Sequence, residues 1–256
     1  MHSTGYIIRF TIVMTVIVAF VLALMVSGLK PIHTENEEVY NKKGILSAVA
    51  EQLGKDINTM SNKEVQEVFS SQIEQKVVNS KGEELTADQI KAATDGAADK
   101  AEDLDLSKES KKPEGEKLLP VYTFKGKDNK MYNILYVRGK GLWDEIWGYI
   151  TLDSDWNTIA GEAFDHKGET PGLGAEIKEN KAWYTQFTGK KLYDQSGAYK
   201  SVAVVKGGVK IPDHQVDAIS GATITGNGVD EMLERGLKYY EAYIQKNKKS
   251  VQEVKQ

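Results

Sequence analysis

The chain has 256 residues, of which 27% are charged and 40% are hydrophobic, and its formal net charge is −4. This balance gives no electrostatic reason to expect nucleic acid as a partner. The chain contains no cysteine, which excludes disulfides, thiolate metal sites and cysteine-ligated iron–sulfur clusters. Redox chemistry would therefore require a bound organic cofactor or a metal site without cysteine.

The first feature along the chain is an apolar stretch at residues 10–29. As a helix it would span about 30 Å, the thickness of a bilayer's hydrocarbon core. The pattern predicts one transmembrane helix that contacts lipid through residues 7–29 and ends at Lys30 and Pro31. The alternative is a cleaved signal peptide with a cleavage site near residues 26–28, but the apolar region of a signal peptide is usually shorter, about 7–15 residues.

Flanking charges predict the orientation of this helix. Arg9 and the amino terminus favour a cytoplasmic N-terminus, while Lys30, Lys42 and Lys43 on the other side weaken that signal. The remainder of the chain is then expected outside the cytoplasm. In a cell with two membranes this means a single-pass inner-membrane protein with a periplasmic domain.

Residues 31–118 form a polar lead-in. Apolar spacing predicts a helix at 35–54 and a second helix capped by Asn62. Residues 76–78 predict a short strand followed by a turn at 80–82, and the alanine-rich residues 86–103 predict a helix with a poor buried face. Residues 108–117 are mostly charged and predict an exposed loop. This loop is either a docking element for partner subunits or a solvated insertion, and its charge mixture favours the insertion.

The remaining residues predict a mostly antiparallel sheet with flanking helices, an α+β fold. Two hairpins are expected, one from strands 119–124 and 130–138 and one from strands 145–152 and 158–164. A short helix at 180–187, a buried strand at 201–205 and an amphipathic helix at 228–245, capped by Asn227 or Thr225, complete the pattern. The predicted division is an anchor at 1–30, the lead-in at 31–118 and one domain at 119–256.

Two glycine-containing connections interrupt the strands. In residues 138–143, Leu142 and Trp143 follow two glycines, and on their own they are best explained as core residues. In residues 166–174, Leu173 stands between two glycines, as either a loop plug or a wall against a flat ligand. Neither connection has the Gly-x-Gly-x-x-Gly or Walker pattern of nucleotide-binding loops.

Residues 217–225, Asp-Ala-Ile-Ser-Gly-Ala-Thr-Ile-Thr, lie just before the last predicted helix. Free N–H groups and the helix dipole favour a phosphate near such a position. Gly221 and Ala222 leave the hydroxyl of Thr223 accessible, and Asp217 and Lys206 are candidates to orient the loop and to balance phosphate charge. The alternative is that Ser220, Thr223 and Thr225 are only turn and capping residues, which their residue types alone favour.

The motif at 217–223 resembles the flavinylation motif of the covalent FMN-binding domain family. The run His-Lys-Gly-Glu-Thr-Pro-Gly-Leu-Gly at 166–174 resembles that family's second signature. Residues 139–149 and 214–217 are most similar to the family members that act as C subunits of sodium-translocating NADH:quinone oxidoreductases, and less so to the G subunits of Rnf complexes. The segment 86–117 matches no family motif.

The resemblance implies FMN linked to Thr223 by a phosphoester, installed from FAD by a separate magnesium-dependent flavin transferase. It implies that Leu142 and Leu173 sandwich the isoalloxazine ring. The other expected contacts fall into two groups. Residues lining the ring are Trp143, Glu169, Thr170, Gly172 and Gly174. Residues bordering the phosphate or ribityl chain are Ser220, Gly221, Ala222 and Lys206.

The implied function is electron transfer towards quinone within a sodium-pumping membrane complex of several subunits. No NADH site is expected on this chain, nor a metal site, since His166 and His214 lack partners at metal-ligand spacing. The alternatives are an Rnf-type subunit, a stand-alone extracytoplasmic flavin reductase, or a non-redox scaffold with a degenerate flavin site. The intact motifs argue against the last of these.

Overall fold

The computed structural model describes residues 3–254, with side chains described for residues 3–250. The helices are α1 Thr4–Ser47, α2 Ala50–Leu53, α3 Asn62–Gln72, α4 Ala87–Ala93, α5 Leu106–Lys111, α6 Glu176–Glu179, α7 Lys181–Tyr184, α8 Thr223–Lys238 and α9 Glu241–Val254. The strands are β1 Ile73–Val78, β2 Leu119–Lys125, β3 Met131–Lys140, β4 Glu145–Leu152, β5 Ile159–His166, β6 Ala203–Val205 and β7 Gln215–Asp217. Short 3-10 turns lie at Ile57–Thr59, Ala101–Asp103, Glu114–Glu116 and Thr185–Phe187.

Helix α1 is continuous through Pro31, so the predicted helix end at Lys30 and Pro31 is wrong. Proline removes one backbone hydrogen bond, but it does not stop a helix that can propagate on both sides. The predicted helix at 35–54 is therefore the C-terminal part of α1, which ends at Ser47, followed by α2. The apolar part of α1 is long and hydrophobic enough to cross a membrane, and its side chains are exposed. The chain divides into two compact units, Met1–Asn41 and Lys42–Gln256.

The second unit is built on an antiparallel sheet in the order β1-β2-β3-β4-β5. Each strand pairs with the next in sequence, as expected for strands joined by short turns. Both predicted hairpins and the α+β class are confirmed. Strand β1, which the sequence places in the lead-in, pairs along its whole length with β2 at the edge of this sheet.

Helix α8 packs closely on β3. Three glycines make this possible, since a Cβ on Gly139 would lie 2.7 Å from Met232 Cβ, one on Gly236 would lie 2.9 Å from Val137 Cγ1, and one on Gly228 would overlap the carbonyl oxygen of Lys140. The apolar side of α8 joins the main core with side chains of β3 and β4. The position of the helix on the sheet is thus set by close contacts that only glycine permits.

Most residues of the charged segment 108–117 are exposed, as predicted, but the segment is not a plain loop. It contains the end of α5 and a 3-10 turn, and Glu109 and Lys117 are both buried. Local hydrogen bonds make their burial tolerable. Lys117 Nζ donates to Glu109 O at 3.0 Å, and Glu109 Oε2 accepts from Leu118 N–H at 2.9 Å.

Other element boundaries also differ from the sequence predictions. Ser61, not Asn62, caps α3, through a capping box with Glu64. The helix predicted at 86–103 is only α4, because the chain turns through positive φ at Asp95 and Gly96. The strand predicted at 201–205 is β6, which is half-buried and not fully buried, and pairs in parallel with β7.

Candidate functional site

The N-terminal end of α8 lies directly beside the predicted attachment residue. A turn over residues 219–222 is closed by a hydrogen bond from Ala222 N–H to Ile219 O at 3.3 Å, with Gly221 at φ 77°. A positive φ at the third position is what a type II turn requires, and glycine adopts it without strain. Helix α8 then begins at Thr223, five residues before its predicted start.

This helix start has no side-chain cap. Ala222 occupies the N-cap position and makes no side-chain hydrogen bond, so the predicted caps Asn227 and Thr225 are wrong. The first-turn N–H groups of a helix lack partners within the helix itself. Thr223 is half-buried at the first helical position, and its neighbours Ser220 and Gly221 are exposed. The arrangement suits an anion near the Thr223 hydroxyl.

The carboxylate of Glu169 connects three segments around this end. The N–H of Trp143 donates to Glu169 Oε1 at 2.9 Å, and the hydroxyl of Thr225 donates to Oε2 at 2.6 Å. Glu169 is only 5% exposed. Its two oxygens therefore hold the loop after β3 and the first turn of α8 against the loop after β5.

Two glycines provide the space for this carboxylate. A Cβ on Gly141 would lie 2.5 Å from Glu169 Oε1, and a Cβ on Gly174 would overlap Oε2 and lie 2.7 Å from Thr225 Oγ1. Any larger residue would force the loops apart. The turn that follows Glu169 is tightened by Gly172, at φ 73°, and by hydrogen bonds from the N–H groups of Leu173 and Ala175 to Thr170 O.

The same loops present exposed apolar side chains. Leu142 is 46% exposed, Trp143 is 66% exposed and Leu173 is 42% exposed, so a core role for Leu142 and Trp143 is excluded. The indole Nε1–H of Trp143 donates to Thr170 Oγ1 at 3.1 Å, which fixes the ring beside the second loop. A Cβ on Gly221 would lie 2.8 Å from Leu173 Cδ2, so Leu173 lies against the turn before α8.

Asp217 and Lys206 lie at one edge of the small parallel sheet. Val205, the last residue of β6, pairs with Asp217, and Ala218 N–H donates to Val205 O at 2.8 Å. The backbone of Asp217 is fixed by Gln186 and by the indole of Trp183, and both Asp217 and Lys206 are exposed. Within the described residues, neither side chain forms a salt bridge.

The two histidines make local structural contacts. His166 Nδ1 accepts from Glu169 N–H at 3.1 Å, and His214 Nδ1 lies 2.7 Å from Lys191 O. Sequence reasoning missed the hydrogen bond between Thr225 and Glu169, since 56 residues separate the two. It also missed Ile224, which is 56% exposed beside Thr223 and is marked only by its apolar type in a polar run.

Residues 141–238 match the family described as FMN-binding domain. The chain is also similar to proteins named as the C subunit of Na(+)-translocating NADH-quinone reductase. It is 36% identical over 242 residues to that of Pseudomonas aeruginosa, covering 87% of this chain and 88% of the relative. It is 35% identical over 221 residues to that of Neisseria meningitidis serogroup B, covering 84% and 82%.

Two solved structures resemble the fold. The crystal structure of the C subunit of Na(+)-translocating NADH-quinone reductase from Parabacteroides distasonis matches with a TM-score of 0.69 at 36% identity, covering 84% of this chain and 96% of that one. The structure of Shewanella oneidensis NqrC matches with a TM-score of 0.64 at 27% identity, covering 82% and 99%. Both matches extend well beyond the segment 141–238.

Proposed function

The chain belongs to the family of C subunits of Na(+)-translocating NADH-quinone reductases, and from this premise we propose that it carries FMN on Thr223 and passes electrons within a sodium-pumping membrane complex. The single observation that carries the proposal is the uncapped start of α8 at Thr223, inside a segment that matches an FMN-binding domain. The other subunits of the complex supply the NADH site, and this chain alone does not oxidise NADH.

The linkage is a phosphoester between Thr223 Oγ and the FMN phosphorus. A separate flavin transferase forms it from FAD with magnesium, breaking the pyrophosphate bond and releasing AMP, so that the Thr223 hydroxyl loses its proton. The free N–H groups at the start of α8 and its dipole stabilise the phosphate, and Lys206 contributes a positive charge at the neighbouring sheet edge. Ser220, Gly221 and Ala222 leave the hydroxyl accessible to the transferase.

Bound FMN supplies reversible electron transfer, and the chain positions it. Leu142, Trp143 and Leu173 would shield the faces of the ring, since their apolar side chains are exposed on loops next to the turn before α8. Glu169 keeps these loops together beside the ring, because both its oxygens accept hydrogen bonds from the protein. Thr170 orients the Trp143 indole. Gly172 and Gly174 permit the tight turn that follows Glu169.

Helix α1 anchors the protein in the inner membrane through residues 7–29, with its N-terminus in the cytoplasm and the FMN domain in the periplasm. Its length and apolar composition support a transmembrane segment. The flanking positive charges support the orientation. Fusions of a periplasm-specific reporter to the C-terminus would test it, and activity of a cytoplasm-specific reporter there would contradict it.

The test of the attachment is the intact mass of the full chain, produced in an exporting host together with its flavin transferase. We expect a mass increase of FMN less one water and a fluorescent band on a denaturing gel. Thr223→Ala should abolish both, while the matched control Ser220→Ala, in the same turn, should retain both. A fluorescent band in Thr223→Ala would overturn the assignment of the acceptor. Co-purification of an NADH-oxidising, sodium-dependent assembly would separate this complex from an Rnf-type subunit or a stand-alone reductase.

A further inference from the structure

A cavity lies against the C-terminal half of α8 and extends to Trp143. It has a volume of about 460 Å³ and is lined by residues of α5, the segment 117–120, residues 136–140 of β3, residues 143–145 and residues 235–240. Twelve residues separate Thr223 from Arg235, which corresponds to about 18 Å along a helix. The volume falls in the range of small-molecule sites, roughly 300–1,000 Å³. We call it the α5 cavity.

The wall of the α5 cavity contains a buried ammonium group that has no carboxylate partner. Lys117 is 5% exposed, and its Nζ donates to the carbonyl oxygens of Glu109 at 3.0 Å and Ser110 at 2.6 Å. No carboxylate of residues 3–250 forms a salt bridge with it. An ammonium group has three N–H donors, so one remains for another acceptor. Buried charges are normally paired, which makes Lys117 unusual.

Nearby acids are already engaged. Glu109 forms a salt bridge with Lys112 at 2.7 Å, and its second oxygen accepts from Leu118 N–H. Glu145 pairs with Arg138. Burial, reinforced by the charge of Arg235, lowers the pKa of Lys117 below its ordinary value. No acid is thus paired with Lys117, and an anion in the cavity would stabilise its protonated form.

Part of the remaining wall is aromatic. The ring of Tyr239 lies 5.3 Å from Lys117 Nζ, and Tyr136, Tyr240 and Trp143 also line the space. Aromatic side chains bury large flat surfaces and pack favourably with other rings. A ligand that combines one negative charge with a flat apolar body matches both parts of the wall.

We propose that the α5 cavity binds a small aromatic carboxylate, whose carboxylate pairs with Lys117 and whose ring packs against Tyr239 and Trp143. Trp143 gives this site a connection to the loops around Thr223, since its N–H groups are bonded to Glu169 and Thr170. In the flavin-free Thr223→Ala chain, occupation of the cavity is therefore expected to perturb the emission of this indole.

The test uses the full chain in lipid nanodiscs and isothermal titration calorimetry, with empty nanodiscs as the blank. The probe is 2-naphthoate, and the neutral probe of the same shape is 2-naphthalenemethanol. We expect saturable binding of one naphthoate per chain, and at least tenfold weaker binding of the alcohol. Lys117→Met should weaken naphthoate at least tenfold. The matched control Lys108→Met removes an exposed lysine of α5 outside the cavity and should bind like wild type.

A second variant keeps the experiment decisive if Lys117→Met does not fold. Leu106→Trp retains the ammonium and fills the α5 cavity from its rim, so it should also lose naphthoate binding. The proposal is overturned if naphthoate and the alcohol bind equally, if either variant binds naphthoate like wild type, or if wild type shows no binding up to about 1 mM. Thr223→Ala should bind naphthoate like wild type, so this result is independent of the flavin proposal.

Discussion

The middle of β5 and the loop after it each bury a glutamate, yet the two carboxyl groups have different surroundings. Glu169, in the loop, is 5% exposed and has a donor on each oxygen, from Trp143 and from Thr225. Glu162, in the strand, is 7% exposed and accepts one hydrogen bond, from Thr188 Oγ1 at 3.1 Å. Burial, with a smaller contribution from the nearby Glu51, raises the pKa of Glu162 to about 7.

Glu169 and Glu162 are buried to a similar extent, so the difference between them comes from the number of hydrogen-bond donors around each carboxyl group. A carboxylate with donors from two other segments joins those segments. A carboxyl with one hydroxyl partner instead takes up a proton near neutral pH. Substitutions at each position can separate these two roles.

The largest effect is expected from Glu169→Ala. It leaves the Trp143 N–H and the Thr225 hydroxyl without their acceptor and should lower the free energy of unfolding by about 4 kcal/mol. Urea titration of the full chain, followed by tryptophan emission, measures this loss. Glu179→Ala, an exposed position in nearby α6, is the control and should change stability by less than about 0.5 kcal/mol. Equal losses in the two variants would show that the hydrogen bonds of Glu169 do not join the loops.

The second effect is a pH dependence of the free energy of unfolding, caused by Glu162. Its pKa in the folded state is about 7, above the ordinary value of 4.5, so the folded state holds this proton more tightly than the unfolded state does. Its stabilising contribution is complete below about pH 4.5 and is lost as the pH rises through 7, by about 3 kcal/mol.

Glu162→Gln should remove that slope and be the more stable protein above pH 7. Urea titrations of both proteins between pH 5 and about pH 8 test this, with the difference between them isolating Glu162 from other titrating groups. Glu51→Gln serves as the comparison and should change the slope only slightly, because burial is the main cause of the raised pKa. Parallel pH profiles for wild type and Glu162→Gln would contradict the prediction.

A smaller effect is expected from Thr225→Val. The substitution keeps the side-chain shape but removes the hydroxyl that donates to Glu169 Oε2, at a cost of about 2 kcal/mol. Thr225→Ser retains the donor and should recover most of the stability. Flavin content per chain, read from the denaturing gel, provides a second measurement. If Thr225→Val were as stable as wild type and Thr225→Ser were not, the methyl group and not the hydroxyl would account for the role of Thr225.

The smallest effect is expected from Thr188→Val. Loss of its hydroxyl removes the one hydrogen bond that lowers the pKa of Glu162, so that pKa should rise further above 7. The stability cost near pH 7 should be about 1 kcal/mol. A carbon-13 NMR titration of the Glu162 carboxyl would detect the shift. An unchanged or lowered pKa would indicate that Thr188 does not stabilise the ionised form.

The strands could be predicted from sequence because apolar alternation and turn residues are local signals, and β2 to β5 follow them closely. The start of α8 could not. The predicted helix begins at residue 228, whereas α8 begins at Thr223. Gly226 and Gly228 have low helix propensity, but Gly228 is required where the helix meets the carbonyl of Lys140. Tertiary packing thus overrides the local preference.

The site was predictable only in part, because some of its contacts join residues that are far apart in the sequence. The residue types near Thr223 and Leu173 carry local motifs, so their positions could be proposed from the chain alone. The hydrogen bond between Thr225 and Glu169 joins residues 56 positions apart and has no local signature. The burial of Lys117 was hidden by the charges around it, because its acceptors are backbone carbonyls that no side-chain pattern reveals.

The three-glycine contact between α8 and β3 limits how Thr223 can move. The three glycines approach Met232, Val137 and the carbonyl of Lys140 with no room to spare, and close-packed interiors resist compression, so sliding of the helix along the strand would need the whole contact to open. The packing of α8 on β3 therefore fixes the position of Thr223 relative to the sheet. With FMN on Thr223 as proposed, a redox partner must come to this end of α8, and the way it docks there would determine the distance of each electron transfer.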